Sequence, residues 1–292
     1  MWTDTLTRYQ EMIETSLRQY MPEASPDDPA GKVTEAMRYS LLCGGKRIRP
    51  VLTLAFCELC GGDLELALPF ACAVEMVHTY SLIHDDMPCM DNDDMRRGKP
   101  TNHKVYGEDM ALLAGDGLLT KAFETALSAE EKETAANAAL VLARCAGEKG
   151  MVGGQCIDLR TEGKEADLSL LVTMDMGKTV ALISAACRMG CIAAHSGKTM
   201  EKAAEQYATG LGMAFQIRDD ILDVQGDPQK LGKNVGMDAA MNKRNYVSLL
   251  GVEEAQKLVQ DYTERALESL KTFPGDTDFL QRLAESLVKR EA

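Results

Sequence analysis

Two apolar segments of this chain run straight into clusters of aspartate, a pattern that few folds can accommodate. The first, Leu66 to Ile83, has the length and composition of a buried helix and is followed by His84-Asp85-Asp86-Met87-Pro88-Cys89-Met90-Asp91. Asp85 and Asp86 therefore fall at a helix C-terminus, where the macrodipole disfavours a carboxylate by roughly 0.3 to 1 kcal/mol. Asp91, Asp93 and Asp94 add further negative charge to the same turn. The simplest compensation is a bound divalent cation.

The second segment repeats the breach. Phe215-Gln216-Ile217-Arg218-Asp219-Asp220-Ile221-Leu222-Asp223-Val224 is again an apolar helix ending in carboxylates, stopped by Gly226-Asp227-Pro228. Asp219 and Asp223 share one helix face. Asp85 and Asp91 stand about 120° out of register on an ideal helix, so Pro88 has to bend the chain before both can reach one ion. A solvated helix end would account for either cluster alone. Two of them, each rooted in an apolar helix and each followed by basic residues, point to a shared site.

The rest of the sequence favours an all-α fold, a single-domain helical bundle spanning 1–292. Hydrophobic residues make up 45% of the chain and aromatics only 5%, and Ala, Leu, Glu and Met are abundant. Helical periodicity is expected over 3–19, 30–42, 51–60, 64–87, 104–128, 132–148, 151–161, 168–195 with a break near Met176, 202–224, 252–271 and 278–289. No convincing β-hairpin is expected. The segments 92–102 and 226–245 read as loops, each following an aspartate cluster and each a lid candidate.

A net charge of -13 argues against a nucleic-acid partner or an anionic membrane surface. Positive charge is concentrated instead at Lys46-Arg47-Ile48-Arg49 and Arg96-Arg97-Gly98-Lys99, which suits a small anionic ligand. Nine cysteines without framework spacing point to reduced thiols and a cytoplasmic setting. Cys57-Glu58-Leu59-Cys60 is the one CxxC and has no second pair to complete a zinc site, while Cys187 and Cys191 read as core. No uninterrupted apolar run reaches 18 residues, the long ones being broken at Glu75 and Arg188, so no membrane span is expected. The N-terminal segment lacks the layout of a signal peptide.

Facing carboxylate clusters flanked by Lys and Arg match the needs of a metal-bridged diphosphate. Mg²⁺ takes one or two carboxylates plus phosphate oxygens and water, and basic side chains neutralise the remaining charge. A glycosidase would need two isolated acids with split pKa values, and a P-loop would need GxxxxGK[ST], which is absent.

With Gly44-Gly45-Lys46-Arg47-Ile48-Arg49-Pro50, the run from Glu75 to Asp91, Arg96-Arg97-Gly98-Lys99-Pro100-Thr101, the GGQCIDL segment at 153–159, Lys178-Thr179, the second aspartate segment and LGKNVGMD at 231–238, the chain resembles the trans-prenyl diphosphate synthases. The likeness is strongest to bacterial farnesyl-producing members. It implies a helical bundle around a central cavity, usually a homodimer, and head-to-tail condensation of isopentenyl diphosphate with dimethylallyl and then geranyl diphosphate to give farnesyl diphosphate. Geranylgeranyl diphosphate is the alternative product. A class I terpene cyclase, which has no need of a second diphosphate site, and a non-catalytic synthase subunit, which should have lost metal carboxylates, fit less well.

The resemblance further implies that Asp85, Asp91 and Asp219 bind Mg²⁺, three ions with substrate present, supported by Asp86, Asp220 and Asp223. Lys46, Arg49, His78 and Arg97 would hold isopentenyl diphosphate. Arg96, Lys178, Thr179, Gln216, Lys233 and Lys243 would surround the allylic diphosphate. Product length would rest on Tyr80, although an ideal wheel places Ser81 nearer the line of Asp85. His78 lies about 20° off that line, so its inward placement follows from geometry as well. One departure stands out: where the family tends to show Lys-x-Thr-Tyr-Pro, this chain has Lys243-Arg244-Asn245-Tyr246-Val247, leaving the start of the next helix less fixed. The C-terminal Lys289-Arg290 reads as a frayed basic tail.

Overall fold

A helix that is apolar on every side has to be enclosed by others, and α4 (Leu64–Asp85) is such a helix, buried from Ala67 to Val77 and again at Thr79, Tyr80 and Ile83. It starts where the Asp63 carboxylate accepts the Glu65 backbone N–H at 3.0 Å, a conventional N-cap. The computed structural model describes residues 2–161, 163–164, 166–225 and 245–289. Around α4 pack α1 (Trp2–Tyr20), α2 (Gly31–Leu41), α3 (Ile48–Leu59), α6 (Glu108–Leu127), α7 (Lys132–Ala146) and α10 (Ala181–Ala193). The chain is an all-α bundle around a cavity, as expected.

A second apolar cluster, including Leu171, Met174, Val180, Met213, Ile217 and Tyr246, joins α9 (Leu168–Asp175), α11 (Lys198–Gln225) and the helices Tyr246–Leu250 and Val252–Ser269. The helix Asp278–Lys289 follows, and its terminal Lys289 pairs with Glu285 at 2.9 Å. Of the second lid candidate, 226–245, residues 226–244 lie outside the described residues, as do Lys233, Lys243 and Arg290.

Two expectations need correction. The helix expected over 104–128 is two, α5 (Asn102–Tyr106) and α6, separated at Gly107. The loop at 92–102 contains a minimal antiparallel hairpin, β1 (Met95–Arg96) on β2 (Lys99–Pro100), the only β structure among the described residues. Its strands are too short to alternate. The signal was the turn, Arg97 at φ 52° and Gly98 at φ 75°, the left-handed pair of a tight hairpin. By mean hydropathy, Leu64–Asp85 and Leu168–Ala193 are long and apolar enough to cross a membrane. Both are mostly enclosed by the protein's own helices, 78% and 56% of their apolar windows being buried.

Near Met176 the expected break is a π turn, Met176–Val180, between α9 and α10. Such widened turns rearrange the side chains on them and occur often at functional sites. Against it lies α8 (Met151–Thr161), and the two meet through glycine: a Cβ at Gly154 would stand 2.0 Å from the Lys178 backbone nitrogen. Gly154→Ala is therefore expected to push α8 off the π turn and lower stability by about 1 to 3 kcal/mol, read as a reduced urea midpoint with the helical circular dichroism of the native state retained.

Candidate active site

At the end of α4 the chain turns back on itself through Met87 to Met90, and the Asp91 N–H donates to the Asp85 carbonyl at 2.8 Å. The bend required by the six-residue spacing is thus present at Pro88. It brings the charges of Asp85 and Asp91 close enough to interact. Burial raises the Asp85 carboxyl to about 6, with Lys178 opposing the shift and Asp91 adding to it. The Asp85 carboxylate also accepts from Gln155 Nε2 at 2.5 Å. Asp86 points elsewhere, accepting from Arg96 Nε at 2.9 Å, and Arg96 reaches Asp93 at 3.1 Å as well. Burial raises the Asp86 carboxyl in spite of that guanidinium. Arg96, assigned by resemblance to the allylic diphosphate, is therefore tied to the aspartate cluster before any ligand is considered.

The basic side of the site is built from two distant segments. Arg97, on the hairpin turn, donates to the Gly44 carbonyl at 2.6 Å and lies 3.6 Å from Glu75. Gly45 leaves room for it, since a Cβ there would meet the guanidinium carbon at 2.9 Å. Arg47 is buried, pairing with Glu75 and Glu14 at 2.7 Å each. Arg49, two residues on, donates from Nη1 to His78 Nε2 at 3.3 Å, which requires that nitrogen to be unprotonated. Burial and the nearby arginines hold His78 well below its ordinary range, and burial lowers Arg49 to about 10. His78 is therefore a neutral acceptor orienting Arg49. Lys46 is exposed at the edge of this group.

The π turn stands between the two aspartate segments. Lys178 acts electrostatically on Asp85, and its ammonium pairs with Asp158 on α8. The neighbouring Thr179 donates to Gln216 Oε1 at 3.3 Å, and Gln216 reaches Asp220 at 3.4 Å. Asp220 also accepts the Tyr246 backbone N–H at 3.0 Å. Asp219, Asp220 and Asp223 stand on α11, with Asp220 and Asp223 buried. Val247 in place of proline does not loosen the next helix. Asn245 accepts the Ser248 N–H at 2.9 Å while Ser248 Oγ accepts the Asn245 N–H at 3.0 Å, a reciprocal capping box that fixes the start at Tyr246.

A cavity of about 510 Å³ runs between α4, α8 and the π turn. Arg49, His78, Asp85, Lys178 and Thr179 all line it, as do both Tyr80 and Ser81. The wheel favoured Ser81 and the resemblance Tyr80, and the structure places the two together. Tyr80 is buried, its ring edge-on to His84 with centroids 5.8 Å apart. Arg97 and Arg96 lie outside the lining, in the adjoining hairpin region. Gln155 and Asp158 carry interactions to which sequence reasoning gave no role. They are one helical turn apart within GGQCIDL, a spacing that puts both polar groups on one face of α8.

The polyprenyl synthetase family model matches residues 31–275. Geranylgeranyl diphosphate synthase of Cyanophora paradoxa is 44% identical over 284 residues, 96% of this chain and 93% of that protein. Farnesyl diphosphate synthase of Geobacillus stearothermophilus is 42% identical over 290 residues, 98% and 97% of the two chains. Among solved structures, an FPP/GFPP synthase from Zymomonas mobilis superposes with a TM-score of 0.87 at 36% identity, covering 99% of this chain and all of the other. The chain belongs to the polyprenyl synthetase family and is a trans-prenyl diphosphate synthase.

The Lys178–Asp158 pair generates a direct test. Asp158→Asn removes the counter-charge that holds the lysine, and displacement of a positioned group by about 1 Å costs on the order of 100-fold in rate. The expected outcome is kcat lowered between 10- and 100-fold, with thermal unfolding little changed. Wild-type turnover in the folded variant would leave Asp158 without a positioning role.

Proposed function

We propose that this enzyme condenses isopentenyl diphosphate with dimethylallyl and then geranyl diphosphate to give (E,E)-farnesyl diphosphate. The observation that carries this reading is one cavity lined by cationic and acidic groups, Arg49, Lys178 and Asp85, together with apolar residues and the buried ring of Tyr80. The donor set suits a hard cation, since carboxylate oxygens are what Mg²⁺ prefers. Asp85, Asp91 and Asp219 would hold three Mg²⁺ ions with substrate bound, and Asp86, Asp220 and Asp223 would support them. When bound, the ions supply Lewis-acid neutralisation of the leaving diphosphate.

The chain's own groups do the remainder. Lys178 and Thr179, with Arg96, Gln216, Lys233 and Lys243, receive the allylic diphosphate and stabilise the charge that develops as its C–O bond breaks. Arg49, oriented by neutral His78, joins Lys46 and Arg97 in holding isopentenyl diphosphate so that its double bond faces the allylic carbon. Apolar lining such as the buried Met151 keeps water from the cation. Attack by the double bond and loss of a proton, taken up by the departing diphosphate, restore an allylic product lengthened by one unit.

Tyr80 lies about 7.5 Å along α4 from Asp85. Adding one more five-carbon unit would gain up to roughly 4 kcal/mol by burial, and a well-packed ring can oppose that because each surplus methylene in a rigid core commonly costs about 1 to 3 kcal/mol. Geranylgeranyl diphosphate is the second reading, favoured by the identity to the Cyanophora enzyme. A homodimer is part of the proposal, supported by the neighbouring Leu112 and Leu113, each about half exposed on α6. Nine free thiols support a cytoplasmic setting.

Incubation with dimethylallyl and isopentenyl diphosphates plus Mg²⁺ should yield mainly C15 product, whereas a dominant C20 product would establish the second reading. Tyr80→Ala should shift the product to C20 or longer; an unchanged C15 product from that folded, active variant would place the length limit elsewhere. Excess chelator should abolish turnover, and Asp85→Ala or Asp219→Ala should lower kcat by orders of magnitude with the helical spectrum intact. For Lys46→Ala and Arg97→Ala, KM for isopentenyl diphosphate should rise about 10- to 100-fold, more than for the allylic substrate.

A further inference from the structure

The Cys57-Glu58-Leu59-Cys60 spacing suggests that its two cysteines belong together, but the fold pairs them differently. Cys57 is fully buried and its thiol donates to the Asp63 carbonyl at 3.4 Å. Cys60, the half-buried C-cap of α3, lies instead with its sulfur 3.9 Å from that of buried Cys191 on α10. The backbones are closely packed beside the two thiols. The turn after α3 is pressed against the end of α10 so closely that a Cβ at Gly62 would stand 2.6 Å from the Ala194 Cβ. A disulfide needs about 2.05 Å between the sulfurs, so each has to move by only about 1 Å. Cys187, one turn earlier on α10, remains a core residue.

The two thiols also differ as a reacting pair should. The contact with Cys191, together with Ser196, lowers Cys60 to about 7 against the effect of burial, whereas Cys191 is pushed up by the same contact and by burial. Cys60 is partly accessible to a small oxidant and Cys191 is not. Thiolate character and access on one side, with a sheltered partner on the other, are the requirements for an attacking and a resolving cysteine.

We propose that Cys60 and Cys191 form a reversible intramolecular disulfide on meeting a low-molecular-weight disulfide such as oxidised glutathione, stapling the end of α3 to α10. The Cys60 thiolate attacks one sulfur of the small disulfide, whose S–S bond breaks and releases one thiolate with the electron pair. Cys191 loses its proton to solvent and attacks the Cys60 sulfur of the mixed disulfide, expelling the second thiolate. Two protein thiols are oxidised and one small disulfide is reduced to two thiols. The bond closes a span of 131 residues, and long loops are those whose closure most restricts the unfolded chain. Cys60 lies about 16 Å along α3 from Arg49, so the staple acts on stability and leaves the cavity as it is.

The test uses the purified full chain, equilibrated in glutathione buffers of graded ratio, quenched by acid, alkylated and mapped by mass spectrometry. A peptide linking Cys60 to Cys191 is expected, its ratio to the reduced pair rising in proportion to the oxidised glutathione concentration divided by the square of the reduced glutathione concentration, with Tm raised by about 3 °C or more. Both effects should be absent in Cys60→Ser, which alters a half-exposed helix end and serves as the reference if Cys191→Ser fails to fold. Exposed Cys89 and Cys156 will carry glutathione in every variant, so the difference in Tm between wild type and Cys60→Ser isolates the staple. A Cys57–Cys60 link would overturn the proposal, as would Cys60 glutathionylated beside a free Cys191 thiol, or reduced Cys60 where Cys89 is modified. A linked pair without a rise in Tm would overturn the stapling role.

Discussion

Glu75 is a carboxylate in the middle of the enclosed helix α4, and the arrangement of the basic half of the site follows from it. Its side chain is 2% exposed, and an ion taken so far out of water costs several kcal/mol unless its partners are well placed. Arg47 and Arg97 supply that compensation, and both adopt left-handed backbone conformations, each with φ 52°. Arg47 also binds Glu14 of α1 and the Leu41 carbonyl at the end of α2. One buried anion thereby holds α1, α2, the start of α3 and the hairpin in register. Arg49 is carried into the cavity beside His78 as a consequence.

In the acidic half Arg96 offsets Asp86 and Asp93, but Asp85 is matched less directly. Asp85 has a neutral partner in Gln155, a nearby cation in Lys178 that is already committed to Asp158, and a like charge in Asp91. Burial is the chief cause of the raised carboxyl at Asp85, with Asp91 adding to it and Lys178 opposing it. The glycine contact between α8 and the π turn makes the geometry possible. It sets Gln155, Asp158, Lys178 and Thr179 within reach of both aspartate helices, although these residues come from separate parts of the chain.

Much of this was legible in advance. Helix after helix matched its apolar period, α8 and Asp278–Lys289 to the residue, because burial of one face repeats every 3.6 residues whatever the neighbours are. His78 and Asp85 were expected on one line of α4 and do line one cavity. The hairpin and the separate α5 were missed because two residues per strand, or five per helix, carry too little pattern. Tyr246–Leu250 was missed for the same reason, its start being set by a side-chain cap rather than by periodicity.

What the sequence by itself determined was the set of helices and the anomaly of carboxylates at the wrong helix ends, since propensity, period and macrodipole are local properties. Pairings between distant residues were decided only by the tertiary structure. No spacing rule predicts that Arg96 turns to Asp86 while Arg97 turns to Glu75 and Gly44, or that Lys178 meets Asp158. Nor does CxxC spacing reveal that the partner of Cys60 is Cys191, 131 residues away, rather than Cys57. Those choices depend on which helix ends the packing of α4 brings together, and short-range forces act on side chains only after the backbone has made them neighbours.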